Sequence, residues 1–250
     1  MSVKSKIIAA AASAVMIAGI AVVATGTAQA VTPSCGSNCL DVFSHNFGTF
    51  AHPAFVLDVY KQGQKVGQPV ILFRTSNSDP AEDFTVSAQG TVNDFFNAGL
   101  VSAAVNLHYG CVPSATIQCT GPGFTFPDDQ AYELEYAPYG ADTGLCAGLA
   151  ATAVANEGVT LQPCGVSART VWIVDTLDSP FTISVPLING SDTNFSHPFV
   201  ATYPAGSYPT DKPRPQVFTT NITGQASGGG PVLGTVDDNQ LWAFDLGVLY

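Results

Sequence analysis

The chain has 250 residues, of which only 11% are charged, and a net charge of −11 from nineteen acidic against eight basic side chains. That balance excludes nucleic acid and anionic membrane surfaces as partners, because binding to a polyanion is driven by clustered cations that release counterions. With 24 Gly, 17 Pro and no long apolar i, i+3, i+4 pattern, the sequence points to many short strands separated by turns, an all-β class.

Lys4 and Lys6 precede an apolar run from Ile7 to Ala24, and Ala28-Gln29-Ala30 has the small-x-small pattern of a cleavage site. Residues 1–30 are read as a secretion signal, which makes residues 31–250 a single mature domain, secreted and extracellular. Loss of the two lysines leaves a net charge of −13. The alternative is a retained anchor, since the run approaches the roughly 20 residues that span a bilayer. All six cysteines follow the cleavage point, and an even count in an exported chain implies disulfides. Nearest-neighbour pairing joins Cys35 to Cys39, Cys111 to Cys119 and Cys146 to Cys164, each closing a local loop. None of these intervals is a Cys-x-x-Cys metal spacing, so no metal and no cofactor is expected.

Along the mature chain, Val56 to Tyr60 alternates as a strand, and Val70 and Leu72 begin another before an Asn-Ser-Asp-Pro turn and Phe84. Residues 87–130 fit no repeat. They carry Phe95, Phe96, Leu100, Val101, Val105 and Leu107 and are expected to add one or two strands and a disulfide-tied loop, packed on the main body because such residues do not stay in water. In the strand from Ala131, Tyr132, Leu134 and Tyr136 share one face, and Glu133 and Glu135 form a solvated opposite face. The segment from Cys146 to Glu157 suits a short helix on alanine propensity or a strand at its start. Val159 and Leu161, a turn at Pro163 to Ser167, and Val171 to Val174 make two short strands. Later strands are expected at Phe181 to Val185 and Gln216 to Thr220, the latter separated by a Gly-rich loop from Pro231 to Val236, and a last one in NQLWAFDLGVLY that closes a barrel beside the first. His197-Pro198 echoes His52-Pro53.

The aromatics Phe84, Trp172 and Trp242 end the triplets Glu82-Asp83-Phe84, Thr170-Val171-Trp172 and Gln240-Leu241-Trp242, spaced 88 and 70 residues apart. Three weakly similar units imply pseudo-threefold architecture. The pattern resembles ricin B-type lectins, whose units pair a small disulfide loop with a strand ending in Gln-x-Trp. Val56-Leu57-Asp58-Val59 is similar to that family's Cys-Leu-Asp-Val strand, with Cys39-Leu40-Asp41-Val42 as the competing alignment. The resemblance implies a divergent β-trefoil carrying an insertion, with a two-sheet sandwich as the alternative fold.

In that family an Asp grips sugar hydroxyls and an aromatic ring stacks on the sugar's apolar face. The resemblance therefore implies carbohydrate binding by Asp58 with Tyr60, and in the third unit by Tyr203 or Tyr208 with Asp237, Asp238 and Asn239. It makes Phe84, Trp172 and Trp242 core residues and Gln240 a structural hydrogen bonder. His45, His52, His108 and His197 show no metal spacing. Glu133 and Glu135, two apart on one strand, point the same way and do not flank a scissile bond. No Gly-x-Ser-x-Gly or phosphate-loop pattern occurs. Sequons at Asn189, Asn194 and Asn221 matter only in a eukaryotic host, and the signal looks bacterial. The expectation is a monomeric, non-catalytic protein that binds extracellular carbohydrate. The rival readings are a protein-binding or protease-inhibitor role centred on the Pro-rich segment Thr202 to Pro215, and, third, a hydrolase.

Overall fold

The computed structural model describes residues 39–44, 55–74, 76, 79–110, 129–174, 184–204, 216–223 and 236–245. The expected signal, Cys35, Cys111, Cys119, His45, His52, Tyr208 and the segment 205–215 lie outside them. No helix among the described residues is long and apolar enough to cross a membrane.

Each third of the chain supplies one set of strands. The first contains β1 (Asp41–Ser44), β2 (Phe55–Val59), β3 (Val70–Arg74) and β4 (Phe84–Thr91), and the second β5 (Gln130–Tyr136), β6 (Leu145–Leu149), β7 (Val159–Pro163) and β8 (Val171–Val174). The last contains β9 (Ser184–Val185), β10 (Leu187–Asn189), β11 (Phe199–Thr202), β12 (Phe218–Asn221) and β13 (Trp242–Asp245). β9 and β10 act as one barrel strand interrupted at Pro186, which has no N–H to donate. Its first half pairs with β13 and its second with β8.

The outer strands of the three sets close on one another. β4 pairs β5, β5 pairs β8, β8 pairs β10, β9 pairs β13 and β13 pairs β1, while a bridge between Leu40 and Phe84 joins β1 to β4. The inner strands form hairpins β2–β3, β6–β7 and β11–β12. Bridges Pro69–Thr160, Ile71–Gln216 and Gly158–Phe218 tie these hairpins into a triangle across one end of the barrel. Six barrel strands capped by three hairpins make a β-trefoil. The ring of pairings leaves no room for a two-sheet sandwich, and β13 closes the barrel against β1 as the sequence leads one to expect.

The threefold relation holds residue by residue. Val70, Val159 and Val217 occupy equivalent hairpin positions and are all buried. Phe84, Trp172 and Trp242 lie together in one core, at most 2% exposed. Trp172 Nε1 donates to Ala147 O and Trp242 Nε1 to Ala201 O, both at 2.9 Å. Phe84 has no such donor, and the position matching Ala147 and Ala201 is filled by Leu57. A smaller ring is thus accompanied by a larger aliphatic side chain, which conserves core volume. The same superposition decides the competing alignments. Val56-Leu57-Asp58-Val59 is the hairpin strand equivalent to Cys146-Ala147-Gly148-Leu149, whereas Cys39 to Val42 enters the barrel. Cys146 and Cys164 form a disulfide across the base of the β6–β7 hairpin, with Cα atoms 5.1 Å apart, and Cys39 is also disulfide-bonded.

The segment after β4 differs from expectation. β4 runs to Thr91, paired with Gln130, so residues 87–91 belong to the barrel. Two helices follow, α1 (Val92–Asn97) and α2 (Ala103–Tyr109), where one or two strands were expected. Thr91 and Asp94 form a capping box, and Ser102 accepts from Val105 N at 3.2 Å. Val92, Phe95, Val101, Val105 and Tyr109 pack on Val171, Ile173, Ile188 and Val200, the outward-facing side chains of the barrel. The Cys111 to Cys119 loop lies outside the described residues.

The volume exchange between ring and aliphatic partner is testable by a double-mutant cycle. Trp172→Phe should cost about 2 kcal/mol, from the lost bond to Ala147 O and a residual cavity. Trp172→Phe with Ala147→Leu should recover part of that loss in urea unfolding, whereas additive costs would count against the equivalence. Replacing Cys146 and Cys164 together by Ala should cost about 3 kcal/mol by the same measurement, since their bond closes a loop of 18 residues.

Candidate functional site

In the first unit, β2 is followed by a tight turn over Tyr60–Gln62. Lys61 and Gln62 both have left-handed backbones, with φ of 55° and 54°. This conformation is unfavourable for residues with a Cβ and must be held by its surroundings. Gln68 supplies part of that hold, since its buried side-chain amide donates to Tyr60 O. Gln62 Nε2 donates to Asp79 Oδ1 at 3.2 Å, which draws this turn towards the one before β4. There Asp79 caps the 3-10 turn Pro80–Glu82, accepting from Ala81 N at 3.0 Å. Lys61, Gln62, Asp79 and Ala81 line a shallow cavity of about 290 Å³, with Lys61 Nζ 5.1 Å from the centre of the Tyr60 ring.

Asp79 of the cavity lining belongs also to a cluster of carboxyl groups. Ligand oxygens of Asp58, Asp79 and Glu82 all fall within 4.8 Å of one another, with Asp58 and Glu82 buried. The trefoil symmetry explains why only this unit has such a cluster. Asp58 corresponds to Gly148 and Thr202, Asp79 to Ser167 and Asp237, and Glu82 to Thr170 and Gln240. A Cβ on Gly148 would sit 2.7 Å from Arg169 O, so the second unit has no room for an acid there.

Glu82 stands where the third unit has Gln240, and Gln240 shows what that position requires. Gln240 Oε1 accepts from Thr223 N at 2.8 Å, and its Nε2 donates to Thr220 Oγ1 and Asn221 O, both at 2.8 Å. Glu82 Oε2 accepts from Ser76 N at 3.0 Å, the counterpart of the first of these bonds. The donor half can be supplied by a carboxyl group only when it is protonated. Burial, followed by the charges of Asp41, Asp58 and Asp79, raises the Glu82 pKa from 4.5 to about 9, against the lowering effect of the Ser76 N–H.

The residues expected to bind sugar divide between surface and core. Tyr60 is half-buried, next in the chain to the cavity residue Lys61, while Asp58 lies below the surface at 0% exposure. Tyr203 is a core residue and not a stacking surface. Its hydroxyl donates to Asp238 O at 2.8 Å and its ring meets Trp242 edge to face at 5.3 Å. Asn239 Nδ2 donates to Tyr203 O at 2.9 Å, which stitches the turn before β13 to β11, and Asp237 and Asp238 are exposed beside it. Tyr208 lies outside the described residues. Gln240 is buried and hydrogen-bonded at both ends of its amide.

Glu133 and Glu135 do not form the solvated face expected of them. Both are buried. Glu133 accepts from Gly165 N at 2.9 Å and from Thr170 Oγ1, and Glu135 accepts from Gly144 N. These bonds hold the loops beside the Cys146–Cys164 bridge. His108 stacks on Phe195 with ring centres 4.6 Å apart, and its burial lowers its pKa. His197 is exposed in the turn entering β11. Sequence reasoning missed Lys61, Gln62 and Asp79 as cavity residues. Asp79-Pro80 was legible as a turn, but the left-handed backbone at Lys61 and Gln62 carries no sequence signal.

Glu82 makes a signed prediction about pH. A group whose folded pKa is raised gives stability that is complete below its unfolded value near 4.5 and is lost as pH rises towards about 9. Unfolding free energy should therefore fall across that window. Glu82→Gln, which supplies the missing donor without a titrating group, should flatten the fall and raise stability most at alkaline pH. Urea titrations of both proteins at pH 5, 7 and 9 measure the difference; parallel curves would show that Glu82 does not titrate there.

No family model and no curated protein matches the chain. Among solved structures it is similar to the designed 3-fold symmetric protein ThreeFoil, at 13% identity and a TM-score of 0.45 over 83% of this chain and 97% of that one. It is also similar to the cytolethal distending toxins of Haemophilus ducreyi and Actinobacillus actinomycetemcomitans. Both are 12% identical over 86% of this chain, covering 86% and 94% of theirs, with TM-scores of 0.44 and 0.43. Likenesses this distant add no argument, and the β-trefoil assignment stands on the strand pairing.

Proposed function

We propose that this protein is a secreted, non-catalytic carbohydrate-binding protein of ricin B-type lectin character, and that its working subsite is the cavity of the first unit. The observation that carries this reading is the convergence of the polar side chains of Lys61, Gln62 and Asp79 on one shallow cavity beside the Tyr60 ring. Asp79 offers a carboxylate to sugar hydroxyls, and Gln62 and Lys61 offer donors. Lys61 is exposed and can yield the ring face of Tyr60 to the C–H groups of a pyranose. Asp58, below the surface, supports the site and does not touch the ligand. Two adjacent left-handed residues favour the same place, because backbone strain of this kind concentrates where ligands are held. The net charge of −11 favours neutral glycans over anionic ones.

A glycan array followed by calorimetry on the full chain tests the reading. Binding to a neutral oligosaccharide should weaken about tenfold in Asp79→Ala, the loss of one hydrogen bond to a charged group, and should be unchanged in Asp237→Ala. Silence across neutral glycans, or equal affinity in Asp79→Ala and the parent, would remove it.

A further inference from the structure

We propose that Asp58, Asp79 and Glu82 form a binding site for a hard divalent cation, calcium, set in the floor of the first unit. Two segments bring these carboxylates together: β2 supplies Asp58, and the turn before β4 supplies Asp79 at its N-cap and Glu82 at its end. Their ligand oxygens lie within 4.8 Å of one another, a spacing that lets all three reach one ion. A second observation points the same way. The Tyr136 side chain is fully buried, and its hydroxyl has no hydrogen-bond partner among the described residues. Beyond the effect of its burial, the charges acting on it most are those of Asp58 and Asp79, which places this buried oxygen near the same group.

The comparison between units makes the cluster specific. At the three corresponding positions the second unit has Gly148, Ser167 and Thr170, all uncharged, and the third has Thr202, Asp237 and Gln240, with one exposed acid. Those side chains satisfy the trefoil turn by hydrogen bonding alone, as Gln240 does. The first unit places an acid at all three positions, and like charges at this separation oppose one another unless a proton or a cation lies between them. No cationic side chain is among the groups shifting Glu82. The donor set is oxygen only, with no His or Cys, which selects a hard ion. Calcium accepts irregular geometry and mixed carboxylate and carbonyl ligands, whereas magnesium requires a near-ideal octahedron.

The site does not depend on the carbohydrate reading, and no glycan is present in its test, so either can fail alone. The full chain, stripped with a chelator, is melted with calcium chloride or with sodium chloride of equal ionic strength. Calcium should give a saturable rise in Tm in the parent and in Asp237→Asn. Asp79→Asn keeps the cap acceptor while losing the charge, and should abolish the rise. Calorimetric titration with calcium should show one site in the parent and none in Asp79→Asn, a readout that holds even if the variant melts lower. No rise beyond the sodium control, or the same rise in Asp79→Asn, overturns the site and leaves a shared proton as the means by which the carboxyl groups coexist.

Discussion

The structure depends on filling one closed barrel from three directions at once. Each set of strands delivers a large ring at the start of its last barrel strand, and each ring packs into the one core that all three sets share. Because that core excludes water, an indole N–H inside it must find an acceptor, and both tryptophans find the backbone carbonyl of the alanine opposite. A small residue is what allows the ring to come that close. Phe84 has no N–H to satisfy, and the place of the alanine is taken by Leu57. The first unit therefore meets the volume requirement without the hydrogen bond and is free to diverge around it.

That divergence explains where the candidate site lies. The turn before the last strand of each unit is the same 3-10 turn, but its final side chain serves a different purpose in each. Gln240 joins two segments of the third unit through both ends of its amide, and Thr170 donates to the buried Glu133. Glu82 can accept as Gln240 does but needs a proton to donate, and it lies close to Asp58, at whose position the second unit has glycine. Charge therefore accumulates in one unit of a nearly symmetric scaffold, under the turn that carries Lys61 and Gln62.

Closure also explains the two helices. Once every barrel strand has a neighbour on both sides, an inserted segment has no edge to join. What the barrel still offers is an apolar outer face at Val171, Ile173, Ile188 and Val200, and short helices with apolar residues on one side cover it. This accounts for the unbroken apolar run Val171-Trp172-Ile173-Val174, in which Trp172 and Val174 point inward and Val171 and Ile173 outward. The capping box at Thr91 and Asp94 was present in the sequence, but the large apolar residues after it read equally well as strand.

Taken alone, the sequence determined the all-β class, the three aromatic markers, the Cys146–Cys164 bridge and the closing strand, because these follow from local spacing and from residues whose burial is nearly obligatory. It also identified Asp58 as the hairpin acid of the first unit. Only the tertiary structure decided that Asp58 is buried and Asp79 stands at the rim, that Tyr203 belongs to the core, and that Glu133 and Glu135 anchor loops. Side-chain burial in a trefoil is set by partners distant in the chain, Asp238 and Trp242 for Tyr203, Gly165 and Thr170 for Glu133. Contacts made across tens of residues leave no periodic trace in a single chain, whereas the alternation of a strand and the size of a ring do.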